Sequence, residues 1–435
     1  MNSRRLIPLA ISVAALFAGA AQAADPATLD WKSVPTNTIN LFWPAQSSFQ
    51  WLHSAEHPGA AMVKTGGACV TCHKGQEEKL GNKLVKANKL EPMPVEGKNG
   101  FIALSLQVAY DADNAYFRAQ WMTRNNFAGD AHPFERFDGK AWKHYGYPKL
   151  DAVVQQGKQP GIYEDRFSIM IDDGSVPNFD KQGCWLTCHN GERDMPNLPS
   201  KGEVQANDFF KAIKKNDVRK YLPSTRADAM ASWDKGKSLD EIKKIKAAGG
   251  FLDLMQWRGH RSNPVGMADD FYVLEYRNGD AGKNPFSSNV DREKHQPKFM
   301  YDEKKVGKKA LREEDIRKMP TALVREENAV PFDPNAGWKE GDLIPAYVVS
   351  RADASGSAAD NKQAKGVWKD GMWTVVWARP RNLTNPDDKP LKDGKAYNFS
   401  FAVHDDNITT RGHQVSFPVT VGFGAKATIE ATKLK

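Results

Sequence analysis

The 435-residue sequence predicts a mainly β protein: an antiparallel β-sandwich with helical and loop insertions, preceded by a small N-terminal segment. Three observations predict it. From about residue 99 onward, apolar side chains recur every second position, the period of a half-buried strand. Only two later stretches carry a clear helical period. All four cysteines fall in two short motifs, one of them inside the N-terminal segment.

Residues 1–23 are read first as a secretory signal peptide. Arg4 and Arg5 precede an apolar run from Leu6 to Ala18, and Ala21-Gln22-Ala23 is a small-x-small cleavage site. The run is too short to span a bilayer, and no later stretch reaches that length, so the mature chain is expected to be exported and to have no transmembrane segment. Pro8 fits a twin-arginine signal poorly, which favours the general secretory route. The expected location is the periplasm.

Residues 24–98 read as loops and short helices. "SSFQWLHSAEH" predicts a helix capped by Ser47 or Ser48 and stopped by Pro58, with His53 and His57 on one face. Residues 99–425 carry the strands. "ALSLQVAYDADNAYFRAQW" alternates Leu104, Leu106, Val108 and Tyr110, turns at Asp111–Asn114, and resumes with Phe117, Ala119 and Trp121, the pattern of a hairpin. "DRFSIMIDD", "DFYVLEY", "IPAYVVS", "GVWKDGMWTVVWARP", "AYNFSFAVH" and "QVSFPVTVGFG" follow as short strands. "VWKDGMW" is a tight hairpin with Gly371 at positive φ, and Trp368, Trp373 and Trp377 at strand spacing are expected in the sandwich core. "VQANDFFKAIKKNDVRKY" and "SLDEIKKIKAAGG" read as helices, the second ending at Gly249. Residues 426–435 form a C-terminal tail.

The cysteines carry the chemistry. "TGGACVTCHKGQ" places Cys69 and Cys72 before His73 at the Cys-x-x-Cys-His spacing, and "GCWLTCHNGE" repeats the ending with one residue more between Cys184 and Cys188 before His189. Two thiols at this spacing can add to the two vinyl groups of a haem while the adjacent imidazole becomes an iron ligand. A zinc site of four thiolates, two local disulfides, or redox-active thiols compete with that reading. Export and the histidine directly after each pair favour two covalently attached haem c groups. His73 and His189 are then the proximal ligands, with a bulged loop absorbing the extra residue at Leu186.

Charge excludes other classes. The formal net charge is +8, and +6 without the two signal-peptide arginines. Basic clusters such as "KAIKKND" are mixed with acids, so nucleic-acid binding is not expected. No Gly-rich phosphate loop precedes a helix, and no Gly-x-Ser-x-Gly elbow occurs.

"QVAYDADNAYFRAQW", "EDRFSIMIDD", "GCWLTCH", "QWRGHRSNPVGMADD" and "LKDGKAYNFSFAVHDD" fall in the order of the haem-binding domain of the ethylbenzene dehydrogenase family. The chain resembles its periplasmic dihaem cytochrome c branch over about residues 99–425, with the first motif in an added N-terminal segment. The resemblance implies a β-sandwich that holds haem and passes electrons, often beside a molybdenum oxidoreductase. In the family's γ-subunits a methionine and a lysine hold haem b. This chain departs by offering a cysteine pair with His189, and His413 in place of the lysine.

Distal ligands follow residue by residue. For the first haem His57 is preferred, then His53, with Met62 a lesser rival. For the second, His413 shares parity with Val415, Phe417, Val419 and Val421 and points to an apolar face. His260 in "QWRGHRSNP" is its closest rival, beside Trp257, Arg258 and Arg261. His404 has the opposite parity to Tyr397, Phe399, Phe401 and Val403 and is expected at the surface or packed behind an iron ligand, with ligation as the lesser alternative. Met122 and Met267 are lesser rivals. His132, His144 and His295 are expected to be solvated.

The sequence thus predicts an exported dihaem c-type cytochrome carrying single electrons, with a quinol-oxidising membrane cytochrome or a periplasmic molybdenum enzyme as partner. Its rivals are a dihaem enzyme with one open iron, peroxidase-like or reducing nitrogen oxides, and a haem-based sensor.

Overall fold

The computed structural model describes residues 24–94, 97–123, 128–148, 152–359, 361–383, 385–405 and 412–434. The expected signal peptide, residues 1–23, lies outside the described residues.

The chain is mainly β. Its central sheet contains β1 (Asn37–Phe42), β2 (Phe101–Tyr110), β3 (Asn114–Met122), β4 (Arg166–Asp172), β5 (Leu252–Arg258), β6 (Asp269–Val273), β7 (Arg277–Gly279), β8 (Gln363–Lys369), β9 (Met372–Pro380), β10 (Lys395–His404) and β11 (Gln414–Ser416). They run side by side in the order β8-β9-β3-β2-β1-β11-β10-β4-β5-β6-β7, and β12 (Val419–Phe423) pairs with β10. The β2–β3 hairpin turns where Asp111 Oδ1 accepts hydrogen bonds from the N–H groups of Asp113 and Asn114. The β8–β9 hairpin turns through Asp370 and Gly371, both at positive φ (52° and 78°), which suits Gly and Asp.

One continuous sheet makes both layers of the sandwich. Its two halves face each other, so that Phe117 meets Phe399 and Trp121 meets Phe167, each with ring centroids 6.1 Å apart. Trp257 and Trp373 meet edge-on at 5.0 Å. Trp121, Trp257, Trp373 and Trp377 are all fully buried in this core. Each aromatic of this kind contributes about 4–6 kcal/mol of gross apolar burial before conformational entropy is subtracted.

Two segments attach to this frame. Strand β1, from the N-terminal segment, lies between β2 and β11, so that segment is stitched into the sheet rather than appended to it. At the other end of the chain, Thr432–Lys433 pairs in parallel with β2, so the expected tail also joins the sheet. The insertion between β4 and β5 covers the outer face of the second layer. There Met170, Leu252, Leu254 and Phe271 pack against Val176, Phe179, Leu186, Val204 and Phe210, so β4 and β5 are buried on both faces. Its expected first helix, over 204–221, is helical only at 204–206 and in Asp208–Ala212: Asn207 caps the second piece, and the chain leaves the helix at 213–221. The second, Leu239–Ala247, carries the Ser238/Glu241 capping box and is followed by Gly249 at φ +81°.

Candidate functional site

Both cysteine motifs lie on the outer side of the second layer, near β10 and β11. A single helical turn, Val70–His73, with Cys69 at its N-cap, carries the first. The His73 N–H donates to the Cys69 carbonyl at 3.0 Å. Residues three and four apart on such a turn share a face, so Cys69, Cys72 and His73 converge. They open onto a cavity of ≈ 770 Å³, in the size range of a cofactor pocket, whose apolar wall includes Phe42, Trp51, Leu52, Trp185 and Phe417. Burial pushes the Cys69 thiol up to about 11, so it is a protonated thiol.

His57 stands across this cavity from His73, with ring centroids 6.3 Å apart. Two imidazoles bound to opposite sides of one metal at about 2 Å per metal–nitrogen bond have ring centres roughly 6 Å apart. His57 Nδ1 donates to the Leu52 carbonyl at 3.1 Å, which leaves Nε2 with its lone pair, as a metal-ligating histidine requires. Burial, and then the neighbouring His57, lower the His73 pKa, so its lone pair is also available near neutrality. The donor set, spacing and apolar wall fit a haem bound through Cys69 and Cys72.

The expected helix through His53 and His57 is cut short. It spans Phe49–Leu52, with the Ser48 side chain accepting from the Trp51 N–H, and ends at His53. Turns then carry the chain to His57. His53 instead packs on Phe49, its ring 4.0 Å from the phenyl centroid, with Nδ1 donating to the Phe49 carbonyl. Met62 lines the first cavity.

The second motif is a 3-10 turn, Gly183–Thr187. Cys184 and Cys188 line a smaller cavity of ≈ 130 Å³ together with Met195, His404, His413, Arg166, Arg193, Arg219, Lys220 and Arg277. Lys220 Nζ lies 3.2 Å from Cys188 Sγ. The cationic side chains suit the propionates of a haem. His189 does not line this cavity. It is buried, stacked on Tyr221 at 3.8 Å, and its Nε2 donates to the carbonyls of Leu186 (3.0 Å) and Tyr221 (2.9 Å). Burial lowers its pKa to about 3. The donors present fit a second haem in kind, but the cavity is smaller than a cofactor pocket and the His189 ring is not turned toward the thiols.

His413 and His404 line this cavity together, stacked with centroids 5.0 Å apart. Of the two places expected for His404, the surface is excluded: it is 6% exposed, because the outward face of β10 is covered by the second motif. The parity argument for His413 meets the same fact. Val415 and Phe417 face the cluster of Phe42, Cys69 and Trp185 and not the sandwich interior, so His413 points to the motif side.

His260 is fully buried elsewhere and is not among the residues lining either cavity. Its Nδ1 donates to the Asp130 carbonyl at 2.8 Å, and its ring lies 6.0 Å from His132. His132, expected to be solvated, is 6% exposed beside Tyr163 and Tyr347. His144 and His295 are exposed as expected. Met122 is exposed on β3, and Met267 packs in a small core with Val265, Val324 and Val349.

Sequence reasoning missed Trp185. It lies between the second pair of cysteines, yet its ring walls the first cavity, stacked on Phe42 and Phe417 at 5.4 Å each. The extra residue in the second motif was the only signal for an unusual local turn.

The family model described as ethylbenzene dehydrogenase matches residues 29–416, which takes in both cysteine motifs and strands β1 to β11. A cytochrome c-552 from Stutzerimonas stutzeri is 26% identical over 415 residues, 95% of this chain and 93% of that protein. A cytochrome c-551 from Rhodocyclus tenuis is 29% identical over 167 residues, 38% of this chain and 58% of that protein.

Proposed function

The chain belongs to the ethylbenzene dehydrogenase family, and from that premise we propose that it is an exported dihaem c-type cytochrome passing single electrons between redox proteins. The names of its cytochrome c relatives support haem c as the cofactor. The observation that carries the reading is the His57–His73 pair, 6.3 Å apart across an apolar cavity that also presents Cys69 and Cys72.

Cys69 and Cys72 would anchor the first haem, and His73 and His57 would hold its iron. Haem iron held by two imidazoles exchanges one electron and keeps no position for a substrate. Phe42, Trp51, Trp185 and Phe417 keep water from the site, which disfavours the more charged ferric state and raises the potential. Cys184 and Cys188 would anchor the second haem, and His413, which lines the same cavity, would hold its iron together with His189, whose Nε2 is engaged here by the Leu186 and Tyr221 carbonyls. The partner is a redox protein, either a quinol-oxidising membrane cytochrome or a periplasmic molybdenum enzyme. The composition of residues 1–23 supports export, and among the described residues no helix is long and apolar enough to cross a membrane.

One observation favours a second reading. His404 and His413 stack on each other beside five cationic side chains, an arrangement that would also admit a small anion to an open second iron. That iron would then serve a dihaem enzyme.

Replacing His57 by Gly in the haem-loaded protein tests the first site. The expected result is one high-spin haem that binds carbon monoxide, with covalent haem content unchanged. A visible spectrum identical to that of the unmodified protein removes His57 from the ligand set.

A further inference from the structure

A group of carboxylates lies at the end of the sandwich interior and has no part in either cysteine cavity. Asp253 on β5 has the parity of Met255 and Trp257, so it points between the layers, and Asp270 on β6 pairs with Met255. Asp388 comes from the segment joining β9 to β10. All three are at most 5% exposed, and one oxygen from each lies within 4.8 Å of the others.

Like charges so close in a low-dielectric interior repel strongly unless something compensates. Arg379, reaching across from β9, compensates in part by donating to Asp253 Oδ2, which also accepts the Lys389 N–H. The Lys389 ammonium is engaged by Asp173 Oδ1 at 2.8 Å and by the Gly249 carbonyl. Asn361 Nδ2 donates to Asp270 Oδ2 at 2.6 Å, and Asn385 Nδ2 to Asp388 Oδ2 at 2.7 Å. Asp253 Oδ1 and Asp388 Oδ1 remain buried with no hydrogen-bond partner among the described residues. A buried carboxylate oxygen with no partner costs on the order of 1–3 kcal/mol or more.

We propose that Asp253, Asp270 and Asp388 bind a divalent cation of the calcium type, which clamps strands β5 and β6 to the β9–β10 segment. An all-oxygen set of carboxylates is the donor chemistry of a hard cation and not of a thiolate- or imidazole-seeking metal. The neighbouring Asp280 and Asp387 add two further carboxyl groups at the same place. In the absence of a cation, burial and then the mutual repulsion of these groups push Asp280 up to about 9, and burial followed by Asp253 pushes Asp388 up to about 7.

The test is equilibrium dialysis of the haem-loaded full chain against calcium chloride, paired with thermal melts in calcium and in chelator. The expected result is one calcium ion per chain and a higher melting temperature in calcium. Asp388→Asn should weaken calcium binding on the order of tenfold or more. It should also melt lower than the unmodified chain in calcium yet higher in chelator, where an amide relieves the repulsion. Asp270→Asn gives the same two signs if Asp388→Asn does not fold. An unmodified chain that retains no calcium at millimolar concentration, and melts identically in calcium and chelator, overturns the proposal in favour of carboxyls that share protons.

Discussion

The indole of Trp185 stacks on Phe417 with ring centroids 5.4 Å apart, while Cys184, its neighbour in sequence, lines the other cavity. Trp185 walls the first cavity from within the second motif, and Pro44 and Ser47 line both cavities. The Trp185 Nε1 donates to Ser47 Oγ at 3.0 Å, which fixes the ring.

On the dihaem reading, Trp185 links the two sites, because it walls the first cavity and follows Cys184 in the chain. Trp185→Ala should slow electron exchange between them and cost about 3–5 kcal/mol of stability through lost burial. Trp185→Phe keeps the stack, loses only the Ser47 bond at about 0.5–1.5 kcal/mol, and should leave exchange nearly unchanged. Flash-induced electron injection with detection at both haem bands checks this. Equal exchange rates in Trp185→Ala and the unmodified protein would remove the ring from the route.

His413 and His404 line the second cavity and His260 lines neither. His413→Met should therefore raise the potential of one haem, since imidazole donates more strongly to ferric iron than a thioether does. His260→Met should leave both potentials in place. A spectroelectrochemical titration reads both variants. A shift seen only in the His260 variant would place that histidine at an iron and demand a different arrangement of the 128–132 segment.

Glu164 is fully buried and accepts from the N–H groups of His260 and Arg261 at 2.9 Å each, while its Oε1 takes the Arg261 guanidinium at 2.7 Å. Burial alone would raise its carboxyl, but Arg261, Arg166, His132 and Arg258 outweigh burial and hold it well below the usual carboxylate range. Because the folded pKa is depressed, the contribution to stability is full above the unfolded pKa of about 4.3 and is lost as the pH falls below it. Glu164→Gln leaves buried guanidinium groups uncompensated and should cost about 3–5 kcal/mol near neutrality, read by urea unfolding. A cost below 1 kcal/mol would mean that the arginines find other partners.

The aspartate group reverses that sign. Asp388 at about 7 and Asp280 at about 9 are raised in the folded chain, so without a cation their contribution is present below the unfolded pKa of about 3.9. It is lost as the pH rises through those folded values. Melting temperature in chelator should therefore fall between pH 5 and pH 9, and calcium should flatten the fall. A flat profile in chelator would show that these carboxyls ionise freely.

Local pattern explains what the sequence showed. The alternation from Leu104 to Trp121 and the Asp370-Gly371 turn are set by neighbours in the chain, and both stand as expected. What failed was burial imposed from far away in sequence. His404 has the outward parity on β10, but an insertion more than 200 residues earlier covers that face. His132 sits among polar residues, yet Tyr163 and Tyr347 close over it. Asp253 alternates as an outlier in an apolar strand, and only Arg379 and Asp388 from distant segments explain it. The helix expected through His57 stops at Leu52, so a helical-face argument could not bring His57 opposite His73.

Intact mass of the haem-loaded protein under denaturing conditions tests the central claim most directly. The account predicts the mature chain plus two haem masses, falling to one in Cys69→Ala/Cys72→Ala and to one in Cys184→Ala/Cys188→Ala. An unmodified chain that carries a single haem, with no change on replacing Cys184 and Cys188, would contradict it.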